Sequence, residues 1–374
     1  MKKIAISALA LLAALLLGGC QPGSTTEPTT SEEPSEAAAE NADAALHVVA
    51  ELEKGPGNLT VTPDGQVLVS LHQFFGHETR VARVLEDGQL EPFAADAGLD
   101  SVLGLQADAS GTVWLLDNAM RGGGTRRLVG WHATDDRLVA DIDLTGASAE
   151  DSFLNDLAVD PDRGAVYIAD PAGGANAAIL VVDLTAGTAR RVLEGHESVT
   201  PEDLDLIIDE SPVRMLTEDG TEIRPRIGVN PIAIDQTGEW LYFGPMHATS
   251  LYRVATADLR DTGLTAEQLA ERVERFADKP ICDGISIDHD GNIYLGDLAA
   301  NAIGVIGPDR QYRTLVADER LSWVDAFSFG PDGHLYTVVN QLHRTAALNG
   351  GQEATEPPYL VLKLEPLAAG TSGR

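Results

Sequence analysis

One unit recurs six times along this chain. It is a short β-rich run, a turn built on Asp or Gly, and a second β-rich run. The copies are NLTVTPDGQVLVSL (from Asn58), LGLQADASGTVWLLDN (from Leu103), NDLAVDPDRGAVYIAD (from Asn155), NPIAIDQTGEWLYFGP (from Asn230), DGISIDHDGNIYLGD (from Asp283) and DAFSFGPDGHLYTVVN (from Asp325). Self-similarity of this kind decides the architecture before any local reading does. Each apolar run alternates, or stays apolar for about five residues, as strands do. The turn glycines, among them Gly65 and Gly291, supply a positive φ at no steric cost. Between the copies lie further strand-like runs: TRVARVLEDGQLEPF, RLVGWHATDDRLVADI, AAILVVDLTAGTARRVL, SLYRVATADL, AIGVIGPDRQYRTLV and YLVLKLEPL. These read as the outer two strands of each unit. Four strands per unit and six units predict an all-β fold: a six-bladed β-propeller of four-stranded antiparallel blades. A closed ring removes the open sheet edges that invite aggregation. The run YLVLKLEPL completes the blade that the N-terminal strands begin or follow, and sequence alone does not fix which.

Two segments break the rhythm. Residues 196–229 are long and polar, and loops of that length in a compact domain are functional or disordered. They read as a lid over one mouth of the propeller or as a solvated decoration. Residues 264–276, LTAEQLAERVERF, have helical spacing after a Thr262–Gly263 start, and predict one short helical insertion.

The body, residues 46–374, is preceded by two segments of different character. Met1-Lys2-Lys3 is a positive start and residues 4–17 are apolar, too short for a comfortable membrane span. The run ends Leu17-Gly18-Gly19-Cys20 and resembles a bacterial lipobox. Residues 1–19 are therefore expected to be a lipoprotein signal peptide and Cys20 the lipidated residue. Gln21, in place of an Asp, points to the outer membrane if the source is Gram-negative, so the expected location is the cell envelope. Residues 20–45 are rich in Ser, Thr, Glu, Pro and Ala, a composition that does not offset chain entropy by burial; they read as a disordered acidic tether. With Cys20 lipidated, Cys282 has no disulfide partner, and the fold holds by packing and sheet pairing. The net charge of −32 repels phosphate backbones and anionic lipid, which excludes nucleic acid and leaves the anchor as the membrane contact. A monomer is expected.

The repeats also place polar groups in register. Counting back five residues from the residue that opens each turn (Thr62, Asp108, Asp160, Asp235, Asp288, Gly330) gives Gly57, Leu103, Asn155, Asn230, Asp283 and Asp325. The first strand of each blade lines the axis, so these positions should ring one end of the central channel. The strand after each turn runs back to the same end. There it brings Asp117, Asn118, Asp170, His247, Asp297, Asn340 and Gln341, with Asn58 beside Gly57. Hard cations such as Ca²⁺ take six to eight oxygen ligands, and Asn155, Asn230 and Asp283 suit that demand. Taken singly, Asn and Asp at strand ends satisfy orphan backbone groups. No Ser/His/Asp order, Cys–His pair or HExxH motif is present, so nothing supports a nucleophilic mechanism.

The stretches FLNDLAVD, NPIAIDQTGEWLYFGPM, CDGISIDHDGNIYLGDLAANAIGV and WVDAFSFGPDGHLYTVVNQL resemble the repeats of the Yellow/major royal jelly protein family, above all its bacterial, dopachrome-tautomerase-related branch. The resemblance covers most of residues 46–365. It implies a secreted propeller that binds a small amine or catechol-like ligand in its channel, with a dopachrome-tautomerase-like isomerase activity in some members. It carries no catalytic motif. The repeats resemble SMP-30/gluconolactonase propellers more distantly. There a divalent metal is held by a Glu of the first blade, two Asn and an Asp. Asn155, Asn230 and Asp283 match the last three, whereas Gly57 and Asn58 stand where the Glu should be.

Three functions remain open on these grounds. In the first, the channel binds a small organic ligand and Asp283 or Asp325 serves as the base of an isomerisation. In the second, a divalent metal at Asn155, Asn230 and Asp283 supports lactone hydrolysis. In the third, the propeller is a non-enzymatic scaffold for protein contact.

Overall fold

The computed structural model describes residues 46–217 and 219–374. The expected signal peptide (1–19), the expected lipidation site Cys20 and the expected tether (20–45) lie outside the described residues. Six four-stranded antiparallel sheets follow one another along the chain. Their inner strands are Pro56–Val61, Val102–Ala107, Asp156–Asp160, Val229–Ile234, Ile285–Ile287 and Val324–Phe329. We call the sheets blades 1 to 6 in that order. The expected six-bladed propeller is the fold observed.

Burial falls from the axis outward, and it explains the residue choice. In blade 1, Pro56–Val61 and Val67–Leu71 are buried throughout, Val81–Val84 is half buried, and Leu90–Pro92 is mostly exposed. The inner two strands are covered on both faces by neighbouring blades, so they read as continuous apolar runs. Each blade-to-blade interface has its own core. Leu68 and Val81 pack with Leu105, Leu115 and Val129, and Tyr167 and Ile179 with Ile232 and Phe243. Across the closure, Leu59 and Val69 meet Val338 and Val361. Burying each such side chain stabilises the ring by about 1.5–3 kcal/mol. Truncating one with no exposure, such as Leu115, should cost about 2–5 kcal/mol.

The chain closes its ring by mixing its two ends. His47–Leu52 pairs antiparallel with Tyr359–Leu364, Ala50 opposite Val361. Blade 6 is thus three late strands plus one early strand on its outside. Residues 367–374 then run beneath the ring and bond to several blades. Thr60 Oγ1 donates to Gly373 O (3.1 Å) in blade 1, and Arg374 donates to Val159 O (3.4 Å) in blade 3 and Asp235 O (3.1 Å) in blade 4. His289 N–H donates to Ala369 O (2.8 Å) in blade 5, and Phe329 N–H to Arg374 O (2.7 Å) in blade 6. This tail stops the channel at the end where the repeat turns lie.

The two insertions behave differently. Residues 193–228 carry two short hairpins, Ile207–Ile208 with Ser211–Pro212 and Met215–Leu216 with Glu222–Ile223. They pack over the other mouth, where Leu206, Ile208 and Val213 share a core with Met246, Trp323, Leu342 and Leu348. The short helix expected within 264–276 is present, but over a shorter span: Ala266–Ala270, started by a capping box between Thr265 and Gln268. Glu274–Asp278 is instead the outer strand of blade 4, paired with Ser250–Arg253, and Phe276 packs on Tyr242. The need to complete the fourth strand overrides helical spacing. A second short helix, Thr256–Arg260, takes the end of the run read as strand, SLYRVATADL. No helix among the described residues is long and apolar enough to cross a membrane.

Candidate functional site

A cavity of about 560 Å³ occupies the lidded mouth. All six register positions, Gly57, Leu103, Asn155, Asn230, Asp283 and Asp325, line it, as does Asn58. Local backbone explains how. Four inner strands carry a bulge at their first residues, between Pro56 and Leu59, Val102 and Leu105, Val229 and Ile232, and Val324 and Phe327. A bulge re-aims the side chains it contains, here at the axis. Gly104 and Gly284 let adjacent inner strands close in: a Cβ on Gly284 would stand 2.3 Å from Asp325 O, and one on Gly104 2.7 Å from Asn155 O.

The floor is a hydrogen-bonded arc of amides and carboxyls. Asn155 Nδ2 donates to Asn230 Oδ1, and Asn230 Nδ2 donates to Asp283 Oδ1. Trp323 Nε1 donates to Asp283 Oδ2 (2.8 Å). Asn58 Nδ2 donates to Asp156 Oδ1 (3.1 Å), and Asn340 Nδ2 to Asp325 Oδ2 (2.6 Å). Asp156 and Trp323 were not singled out in the sequence. Asp156 follows Asn155 in FLNDLAVD, and strict alternation would turn it away from its neighbour. The pairing of its blade, however, begins only at Asp156 opposite Ala169, so both residues reach the mouth. Trp323 has φ +65°, a strained conformation for a bulky residue. It is fully buried and brings its indole N–H onto Asp283.

Three carboxyl groups, Asp156, Asp283 and Asp325, therefore lie together inside the ring and line the cavity. Burial pushes Asp156 up to about 7, helped by the nearby Asp283 carboxyl. Burial also raises Asp283 to about 7, against the bonds from Trp323 and Asn230. Asp325 is pushed well above the carboxylate range by burial and by Asp283 and Asp156. Among the described residues no cationic side chain lines the floor beside them, and the arginines on the cavity wall are Arg224 and Arg226, which come from the lid and are paired with Asp203 and Asp205. The rest of the wall is mainly apolar, with Phe74, Phe153, Met246 and Leu342.

The other expected mouth residues divide. Asn340 joins the site by bridging Asp325 and Pro56 O (3.1 Å). Asp117, Asn118, Asp170, His247, Asp297 and Gln341 do not line the cavity. Asp117 accepts from the N–H groups of Asp100 (2.9 Å) and Ser101 (2.9 Å) and pairs with Arg127 (3.3 Å). Asn118 Nδ2 donates to Leu154 O (3.3 Å). Asp170 accepts from Phe153 N–H (2.8 Å) and pairs with Arg191. Asp297 accepts from Tyr312 Oη (2.9 Å). Gln341 clamps Glu356 through its backbone. His247 Nδ1 accepts from Ile227 N–H (3.3 Å) of the lid, and burial holds its ring down to about 4. These residues shape the loops around the mouth.

Asn155, Asn230 and Asp283 do converge, and two amides with a carboxylate are oxygen donors of the kind Ca²⁺ takes. Among the described residues no three carboxylate, imidazole or thiol groups form a metal-holding cluster. Cys282 is free and buried.

A closed six-bladed ring with a lidded cavity at one end of its axis defines the class of protein. The model of the major royal jelly protein family matches residues 100–371, and the chain belongs to that family. No curated protein matches it in sequence. Among solved structures it is similar to a gluconolactonase from Xanthomonas campestris, with a TM-score of 0.55, 15% identity, and coverage of 89% of this chain and 94% of that one. A calcium-binding regucalcin from Agrobacterium tumefaciens gives a TM-score of 0.54 and 16% identity, over 87% of this chain and 95% of that one. A luciferin-regenerating enzyme gives 0.55 and 11%, over 88% and 97%. At these identities the likeness shows the fold.

Proposed function

We propose that the protein binds a small organic cation, an arylalkylamine or catechol-like amine, in the lidded cavity. One observation carries this reading. Three carboxyl groups, Asp156, Asp283 and Asp325, sit at the floor of a mainly apolar cavity with no cationic side chain among them. Buried carboxyls that repel one another stay protonated until a cation compensates them. A divalent ion alone would use the floor and leave the apolar wall idle. An amine with an aromatic body uses both, and cavities of this size suit such ligands. The lid then excludes water from the bound amine.

A carboxyl near 7 can also take and return a proton at neutral pH. On that basis an isomerase step is assigned to the Asp283–Asp325 pair: one carboxylate removes a proton from carbon, and a carboxylic acid returns one to the ligand oxygen. The location proposed is the cell envelope, lipid-anchored through Cys20, at the outer membrane and periplasmic or surface-facing if the source is Gram-negative.

Calorimetric titration with phenethylamine and the neutral 2-phenylethanol tests the binding reading. Preference for the amine, reduced at least tenfold by Asp283→Asn or Asp325→Asn, supports it. Equal binding of the two probes, or variants that bind as the wild type does, would sink it. The metal reading, favoured by the Asn155–Asn230–Asp283 arc, is tested on the same protein by lactone turnover with added Ca²⁺, Zn²⁺ or Mn²⁺.

A further inference from the structure

One polar atom on the cavity wall, Nε2 of His72, has no hydrogen-bond partner among the described residues. His72 is 5% exposed and lines the cavity. Its Nδ1 accepts a hydrogen bond from Phe74 N–H (3.2 Å). A ring nitrogen that accepts carries no proton, so the neutral imidazole bears its hydrogen on Nε2. Burial, the Arg121 guanidinium and the His77 ring hold the group down to about 3, so it is neutral at every ordinary pH. Among the described residues Nε2 has no hydrogen-bond partner. The Cδ2 edge of the ring, next to Nε2, faces Gly57, where a Cβ would lie 3.6 Å away. Gly57 is the one register position without a side chain, and its bareness leaves that edge open to the mouth. Phe74 at 4.5 Å and Phe75 at 6.2 Å hold the ring edge-on.

We propose that His72 is a specificity-determining residue of the cavity: its fixed Nε2–H selects ligands that carry an acceptor oxygen, a hydroxyl, phenolate or carbonyl, besides the cationic end held by the carboxyl floor. This rests on the reading of the site as an amine pocket. The cavity is polarised in the sense such a ligand requires. Carboxyls gather at Asp156, Asp283 and Asp325, whereas the His72 side is backed by Arg121, which donates to Leu71 O (2.8 Å) and to His77 O. A buried donor that a ligand leaves unpaired penalises that ligand, which is how a polar group in an apolar pocket discriminates. Because its accepting nitrogen is taken by the backbone, His72 donates and does not act as a base.

The test is a set of calorimetric titrations with phenethylamine and its 3-hydroxy and 4-hydroxy counterparts, on the wild type, His72→Phe and His72→Gln. The wild type should prefer at least one hydroxylated probe by about tenfold, the worth of one added hydrogen bond. His72→Phe should abolish that preference and leave phenethylamine binding within about threefold, since one hydrogen bond is all it removes. His72→Gln, which keeps an N–H, should restore part of it. No preference in the wild type, or a preference that survives His72→Phe, overturns the assignment. Failure of all three amines to bind overturns the amine reading as well, and phenethylamine alone tells the two failures apart. Should His72→Phe not fold, ¹⁵N-histidine spectra of the wild type decide. An Nε2–H resonance that moves with the hydroxylated probe and not with phenethylamine supports the role; one that moves with neither overturns it.

Discussion

The inner strands carry aspartate at both ends, and the two sets have opposite fates. At the turn end, Asp288 accepts from the N–H groups of Asp290 (3.0 Å) and Asn292 (2.9 Å), from Asn292 Nδ2 (2.8 Å) and from Tyr294 Oη (2.8 Å). Asp108 does the same for its own turn and takes Trp114 Nε1 (3.0 Å) as well. At the mouth end, Asp325 accepts one side-chain bond, from Asn340, and Asp283 two, from Asn230 and Trp323. A carboxylate surrounded by donors from its own hairpin is a structural part. One that lies in an apolar cavity beside two others has no such surround of donors. On the proposed reading, the same residue type serves stability at one end of a strand and recognition at the other.

The comparison breaks most sharply under substitution. Asp288→Ala removes four bonds and leaves the buried Tyr294 hydroxyl without its acceptor, which should cost about 3 kcal/mol; denaturant midpoints measure it. Asp283→Asn should do the reverse, leaving stability unchanged or raised while amine affinity falls at least tenfold. If Asp283→Asn destabilises as much as Asp288→Ala, the two ends are not different in kind.

The two ends also differ in what the sequence lets one read. The turns are spelled out locally, as in DHDG and DPDRG, and a local rule suffices. The six register positions at the mouth were likewise legible by counting, since a repeat fixes where each inner strand begins. Asp156 was not, because the count selects one residue per blade and alternation dismisses its neighbour. Trp323 and His72 were hidden for another reason: Trp323 reaches the site from a loop that packs against the lid, and His72 directly follows the strand Val67–Leu71 at a position no shared polar residue marks in the repeat. The overlong extent read for the helix within 264–276 follows from the same limit. Periodicity reports what a segment prefers alone, and blade 4 needed an edge strand there.

A smaller effect is expected in pH dependence, and its sign separates the mouth groups. Asp156 and Asp283 titrate at about 7 in the folded chain against an ordinary 3.8. Their folded pKa is raised, so their contribution to stability is present below 3.8 and is lost as pH rises towards 7. His72, at about 3 against 6.5, contributes oppositely: present above 6.5 and lost as pH falls towards 3. Asp283→Asn should therefore flatten the decline in melting temperature between pH 4 and 7, and His72→Phe the decline on the acid side. Amine binding should strengthen as pH rises to about 7 and release a proton below it, read by calorimetry in buffers of different ionisation enthalpy. The smallest effect tests a site remote from both ends. Thr265→Ala, which removes the capping box, should lower stability by about 1 kcal/mol without touching amine affinity.

The closure of the ring has a consequence in time. Thr60 and Gly373, which meet beneath the channel, are 313 residues apart in sequence, and the strand at 47–52 finds its partner only at 359–364. Blades 1 to 5 can form their hairpins as they emerge during synthesis, but the sixth must wait for nearly the whole chain. Contacts of such long separation slow folding, because the loop must close before the contact rewards it. Until then the chain is an open arc with an uncovered apolar face at each free end. The vulnerable state of this protein is thus a nascent one, and its lifetime is set by the arrival of the last strand.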